Sequence, residues 1–148
     1  MSRRWLNLTA CGLAMFCLAG CGVAGHVMND RPPPPELQAS VEVYDPFDSR
    51  SVAVPIQVPA NAPADLRNAL EQIRSKQWDQ ARALLEGVCD TAAGEYRARL
   101  FLGLIHENRG NWDEAMSWFE AANDIRANQL AQEGIERCRA KQAIERGE

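Results

Sequence analysis

The residues of this 148-residue chain that could do chemistry are first of all its five cysteines and two histidines. Catalysis requires a nucleophile with a base, paired carboxylates in a cleft, or a metal cluster. The histidines, His26 and His106, lie far apart, and the chain has no CxxC pair or Cys/His cluster of the kind that binds metal. It also has no Gly-rich phosphate loop. We therefore expect no enzymatic activity, no metal site and no cofactor.

One cysteine has a more specific setting. Cys21 follows a basic start at Arg3 and Arg4 and an apolar stretch over residues 5–19, which is the layout of a secretory signal. The apolar stretch is shorter than the ~20 residues that a membrane-spanning helix needs. The pattern therefore predicts a signal peptide over residues 1–20.

The run Leu18-Ala19-Gly20-Cys21 resembles the lipobox of bacterial lipoproteins. Small residues let the extended backbone enter a peptidase cleft, and the Cys21 thiol then accepts a diacylglyceryl group and its freed amine an acyl chain such as palmitate. In that family an aspartate after the cysteine commonly marks inner-membrane retention, and here Gly22 takes its place. The resemblance implies a lipid anchor on the periplasmic face of the outer membrane. The alternative is an ordinary signal peptide with a chance cysteine.

The charge of the chain is unevenly distributed. Arg3 and Arg4 precede Cys21, whereas all 20 acidic residues follow it, so the mature part carries 14 basic residues and a net charge of −6. An acidic chain without a basic stripe is not expected to bind nucleic acid. After Cys21 only Cys89 and Cys138 remain, and in the periplasm they could form a disulfide. The repeat alignment below places them on well-separated helices, which argues against it.

Residues 21–63 form a proline-rich segment that contains all eight prolines of the chain. Proline removes a backbone donor and ends helices, so we expect a disordered, extended tether that reaches on the order of 100 Å. The alternative comes from strand-like alternation in Val41-Glu42-Val43 and in residues 52–58. In that alternative Val52, Val54, Ile56 and Val58 pack against the helical domain, with Pro55 on an edge strand.

A repeat follows the prolines. Trp78-Asp79-Gln80-Ala81 and Trp112-Asp113-Glu114-Ala115 stand 34 residues apart. A period of 34 built on two helices and a turn resembles the tetratricopeptide repeat. The resemblance implies an all-α fold over residues 64–146, with two helix-turn-helix repeats and a capping helix. Gly103 and Ala115 would let the paired helices approach closely, with Phe119 between them.

Two details of the repeat are open. The stripe Leu66, Ala69, Leu70 and Ile73 is one residue out of step with the second copy, which a shortened first turn would explain; in a strict register the stripe would face the concave groove. We favour the shortened turn. In the capping helix, Gln129 to Arg146, we expect a narrow apolar face and a solvated polar face that includes Arg137 and Lys141.

The family resemblance also implies a function. The concave surface of such repeats holds a peptide or a partner's helix, and in the second repeat this surface comprises Arg97, Leu100, Leu104, Glu107 and Asn108. We expect a membrane-anchored periplasmic scaffold for protein–protein interaction. The alternatives are a pilotin-like assembly factor for an outer-membrane secretin or pilus, and a cell-envelope spacer.

Two further features bear on binding. A stack of two repeats is marginal, which leaves room for self-association. Leu84 and Trp118, also 34 residues apart, are expected on the outer face as a second contact surface or as residues that the tether buries.

Overall fold

The computed structural model of the protein describes residues 36–148, which form a β-hairpin followed by five α-helices. The predictions for the signal peptide and for Cys21 lie outside these residues. The elements are β1 (Leu37–Asp45), β2 (Arg50–Val58), α1 (Ala64–Arg74), α2 (Trp78–Thr91), α3 (Tyr96–Asn108), α4 (Trp112–Ile125) and α5 (Gln129–Arg146). None of the helices in the described part has the length and apolar character needed to cross a membrane.

The helices form the predicted repeat. α1 packs on α2 and α3 packs on α4, while α5 packs on α4 and closes the stack. Trp78 and Trp112 are half-buried against the core at the start of the second helix of each pair. Asp79 and Asp113 lie in the first turns of those helices, where a negative charge stabilises the helix dipole. The prediction of five helices in two repeats and a cap is confirmed.

The turn within the first repeat is not shortened, and that prediction is wrong. Three residues separate the helices in both copies, and the middle residue of each turn has a positive φ, 58° at Lys76 and 79° at Gly110. The left-handed residue is what ends the first helix and redirects the chain. The register is therefore strict, and Leu66, Leu70 and Ile73 are the equivalents of Leu100, Leu104 and Glu107.

The core of the second repeat is built around the Phe119 ring. A Cβ added to Gly103 of α3 or to Gly134 of α5 would lie 2.6 Å from ring atoms of Phe119. The two glycines thus allow α3 and α5 to close on opposite sides of one aromatic side chain on α4. The expected role of Gly103 and Phe119 in helix packing is confirmed, whereas Gly134 was not anticipated.

The expected disordered tether and purely α-helical fold are wrong for residues 37–58. β1 and β2 pair in antiparallel register, with Val41 opposite Val54 and Ala39 opposite Ile56. One face of the hairpin is buried and the other is exposed, as the alternation of side chains in a strand requires. The buried face comprises Ala39, Val41, Val43, Val54, Ile56 and Val58.

The alternative interpretation of residues 52–58 is confirmed for three of its four positions, since Val54, Ile56 and Val58 are buried, whereas Val52 is only partly buried. Prolines are compatible with this hairpin because each occupies a place that needs no backbone donor. Pro46 lies in the turn and Pro55 on an exposed edge position. Burial of six apolar side chains provides the free energy that orders the segment.

Candidate protein-interaction site

The hairpin lies on the first helices of the two repeats. β1 contacts α1 and α3, and β2 contacts α3. These helices carry the residues that the family resemblance assigns to the concave groove. In this protein the chain's own hairpin therefore covers much of the surface that was expected to be open.

Three side chains hold the hairpin by its backbone. Arg74 donates from Nη2 to the carbonyl oxygen of Gln38 at 2.7 Å. Asn108 donates from Nδ2 to the carbonyl oxygen of Glu42 at 2.6 Å. On the other strand, the Nε of Arg97 donates to the carbonyl oxygen of Gln57 at 3.0 Å. Both edges of the hairpin are thus fastened to the first helices.

The five predicted groove residues share α3 but have different surroundings. Leu100 and Leu104 are only 1% and 2% exposed, and Glu107 is 1% exposed. Arg97 is half-buried and Asn108 is exposed, and both bond to the hairpin. Binding of an outside partner by these five residues stays a prediction. The open apolar surface expected at Leu100 and Leu104 is replaced by a buried interface.

Glu107 forms a buried ion-pair network with α5. Its two carboxylate oxygens accept from Nε and Nη2 of Arg137, each at 2.9 Å, and Oε1 also accepts from Nζ of Lys141 at 2.9 Å. Burial acts to lower the pKa of the Arg137 guanidinium, but the hydrogen bonds and charge of Glu107 raise it above the ordinary value. The expected solvent exposure of Arg137 and Lys141 is wrong, because the buried carboxylate requires both as partners.

Cys138 lies beside this network. Burial, together with the Glu107 carboxylate, raises the pKa of its thiol to about 12, so it stays protonated and unreactive. Cys89, on α2, is half-buried and forms no disulfide with Cys138, on α5. The 34-residue repeat spacing predicts this, because it places the two cysteines on well-separated helices.

His106 is half-buried, and its pKa is lowered by burial first and then by the charge of Arg82. Its Nδ1 is buried and has no hydrogen-bond partner among residues 36–148. Within residues 36–148 no group of three or more His, Cys, Asp or Glu side chains is arranged to hold a metal ion.

Leu84 and Trp118 are half-buried against the core, so they do not form an open outer patch.

An open cleft remains beside the hairpin, with a volume of about 730 Å³. It lies between the outer edge of β1 and the carboxyl ends of α1 and α3. We call it the β1 cleft. Its lining comprises Gln38, Ala39, Ser40, Glu42, Ile73, Arg74, Lys76, Trp78 and Asn108. The repeat pattern could not reveal this cleft, because one of its walls is the hairpin; the alternation of residues 37–43 was the available signal.

One comparison with known protein families agrees with the repeat geometry. Residues 72–138 match the family described as tetratricopeptide repeat. A comparison with curated proteins and another with solved structures found no match. The matched segment begins in α1, includes all of α2, α3 and α4, and ends in α5. These residues of the chain are therefore similar to tetratricopeptide repeats.

Proposed function

We propose that the protein is a lipid-anchored adaptor that binds a partner protein in the periplasm. Repeats of this family generally mediate protein–protein interaction, and the match over residues 72–138 is the observation that carries the proposal. The open β1 cleft supplies a surface on which a partner can bind next to the covered groove. Its lining includes Asn108, one of the five predicted groove residues.

The anchoring part of the proposal rests on Leu18-Ala19-Gly20-Cys21. Acylation at Cys21 with more than one chain would hold the protein on a membrane stably, since two buried chains suffice where one is marginal. Because Gly22 stands where an aspartate would mark inner-membrane retention, we propose the outer membrane as the site of the anchor, with the repeats on the periplasmic side.

The anchor is tested by growing expressing cells with radioactive palmitate. The wild-type chain should be labelled, Cys21→Ser should lose the label, and Cys17→Ser should keep it as the matched control. Label on the Cys21→Ser chain would contradict lipidation at that position. Gly22→Asp should shift the protein towards inner-membrane fractions, and an unchanged position would leave the outer-membrane proposal without support.

The partner is tested by crosslinking the full-length protein in its own cells and identifying what is attached. Several soluble partners would support the adaptor. A single oligomeric outer-membrane partner would instead support the alternative, a pilotin-like assembly factor for a secretin or pilus. Attachment to cell-wall material alone would contradict both and favour a spacer.

A further inference from the structure

We propose that the outer edge of β1 accepts an extended, acidic segment of a partner protein as an added third strand. The inference rests on the proposed function, because it specifies how an adaptor of this kind would hold its partner. It concerns the β1 cleft and does not require the hairpin to leave the first helices.

The backbone of β1 carries the first part of the argument. The carbonyl groups of Gln38 and Glu42 point to the outer edge, where Arg74 and Asn108 reach them. Ser40 lies midway between the two, so the period of a strand directs its N–H and carbonyl group to the same edge. Neither group has a side-chain partner within residues 36–148. The centre of the β1 cleft therefore presents an unused donor and acceptor spaced for an extended chain.

The hairpin has a second outer edge, on β2, which is less able to accept a strand. Pro55 lies opposite Ser40 in the register and has no N–H to donate. A carbonyl on each edge is already bonded by a side chain, of Gln57 on β2 and of Gln38 and Glu42 on β1, so the missing N–H of Pro55 is what distinguishes the two edges. Strand addition is therefore directed to β1.

The side chains of the cleft select the charge of the partner. Its lining includes two cations, Arg74 and Lys76, and one carboxylate, that of Glu42. Glu42 belongs to the exposed face of the hairpin, because the residues on either side of it are buried. Arg74 is paired with Glu71 at 2.7 Å, whereas Lys76 forms no ion pair in the described part of the chain. A carboxylate on the added strand would give Lys76 a partner.

The Lys76 position is also well suited to reach an added strand. It has a left-handed backbone at the turn between α1 and α2, where the side chain is exposed. The added strand would lie about 4.8 Å from β1, over the carboxyl ends of α1 and α3. Trp78 at the same wall offers an apolar surface to the uncharged side chains of the segment.

The test uses a defined peptide and the full-length chain in nonionic detergent micelles. The probe is a ten-residue peptide in which threonine and glutamate alternate, and its control replaces each glutamate by lysine. Binding is measured by fluorescence polarisation of labelled peptide, and the site is mapped by amide chemical shifts of the protein. We expect the acidic peptide to bind, with the largest shifts at Ser40 and at the indole N–H of Trp78, and the basic peptide to bind much more weakly.

Two variants probe the two parts of the argument separately. Ser40→Pro removes the donor and should weaken binding about ten-fold, while its matched control Ser40→Ala keeps the N–H and should bind like the wild type. Lys76→Glu should weaken the acidic peptide and strengthen the basic one. Because Lys76 lies outside the hairpin, this second variant remains informative if Ser40→Pro disturbs the strand.

Any of four results would overturn the inference. In the first two, the acidic peptide does not bind, or the basic peptide binds equally well. In the other two, the chemical shift changes are confined to β2 or α5, or both Ser40→Pro and Lys76→Glu bind the acidic peptide like the wild type. If the peptide fails while the full-length protein still crosslinks to a partner in cells, strand addition is wrong and the adaptor proposal stands. If both fail, the adaptor proposal is also wrong.

Discussion

Arg74 and Asn108 stand 34 residues apart as the last residues of α1 and α3, and each donates a side-chain hydrogen bond to a carbonyl of β1. The two carbonyls belong to Gln38 and Glu42, four residues apart on one strand. Equivalent positions of consecutive repeats therefore hold equivalent backbone groups of an extended chain. The face of α1 and α3 that the resemblance assigns to a partner is covered by a segment of the chain itself.

We predict that the hairpin and the helices unfold together. Ile56 on β2 and Leu104 on α3 are 3% and 2% exposed, so replacing either by alanine should lower the free energy of unfolding by about 2–5 kcal/mol. Urea unfolding followed by circular dichroism measures the change. Ile144→Ala, at a side chain that is 62% exposed, is the control and should change it by less than about 0.5 kcal/mol. A near-zero effect of Ile56→Ala would mean that the hairpin is not part of the folded unit.

A second prediction concerns the glycines on either side of Phe119. Gly103→Ala and Gly134→Ala should each cost about 1–3 kcal/mol, because the new methyl would meet ring atoms at 2.6 Å. Gly87 lies in α2, and outside its own helix backbone no atom of the described residues comes within 4 Å of a Cβ added there. Gly87→Ala should therefore stabilise the protein by about 0.5–1 kcal/mol. Thermal unfolding of the three variants checks the order. Equal effects at all three positions would contradict the close packing of α3 and α5.

The buried carboxylate supports a third prediction. Glu107→Gln leaves Arg137 and Lys141 buried without a negative partner and should cost about 3–5 kcal/mol. The control is Asp48→Asn, which breaks an exposed pair with Arg50 and should cost at most about 1 kcal/mol. Urea unfolding at neutral pH compares them. Similar small losses in both variants would show that the network contributes little.

The sequence predicts the helix pairs correctly, but it does not predict which residues and elements pack around them. The two Trp-Asp-x-Ala runs predict paired helices because the packing of such a pair is decided by residues within one repeat. The partners of Glu107 lie 30 and 34 residues away on α5, where Arg137 and Lys141 have the polar pattern of an exposed face. Whether the hairpin segment is disordered or packed on the helices could not be decided from the sequence for a related reason. Its alternation is visible, but its burial depends on the complementary face of α1 and α3.

A fourth prediction concerns pH. Burial lowers the pKa of His106 below its ordinary value of 6.5, so the folded state binds this proton less readily than the unfolded state. Its contribution to stability is complete above pH 6.5 and is lost as the pH falls towards the folded-state pKa. His106→Phe should remove this part of the acid destabilisation. The measurement is the difference between wild type and variant in unfolding free energy from pH 7.5 to 5. A constant difference would contradict the assigned shift.

The last prediction distinguishes the two turns. Lys76 and Gly110 occupy the same place in their repeats, and both have a left-handed backbone. In a residue with a side chain this conformation costs about 1–2 kcal/mol. Glycine removes that cost, but its greater freedom in the unfolded chain cancels part of the gain in stability. Lys76→Gly should therefore stabilise the protein by about 0.5–1 kcal/mol, as measured by urea unfolding. Ser75→Gly is the matched control. Its φ is −83°, so glycine gives no relief there and should destabilise by a similar amount. If both changes destabilise, the turn at Lys76 is not strained, and the left-handed residue that sets the strict register of the repeats must be re-examined.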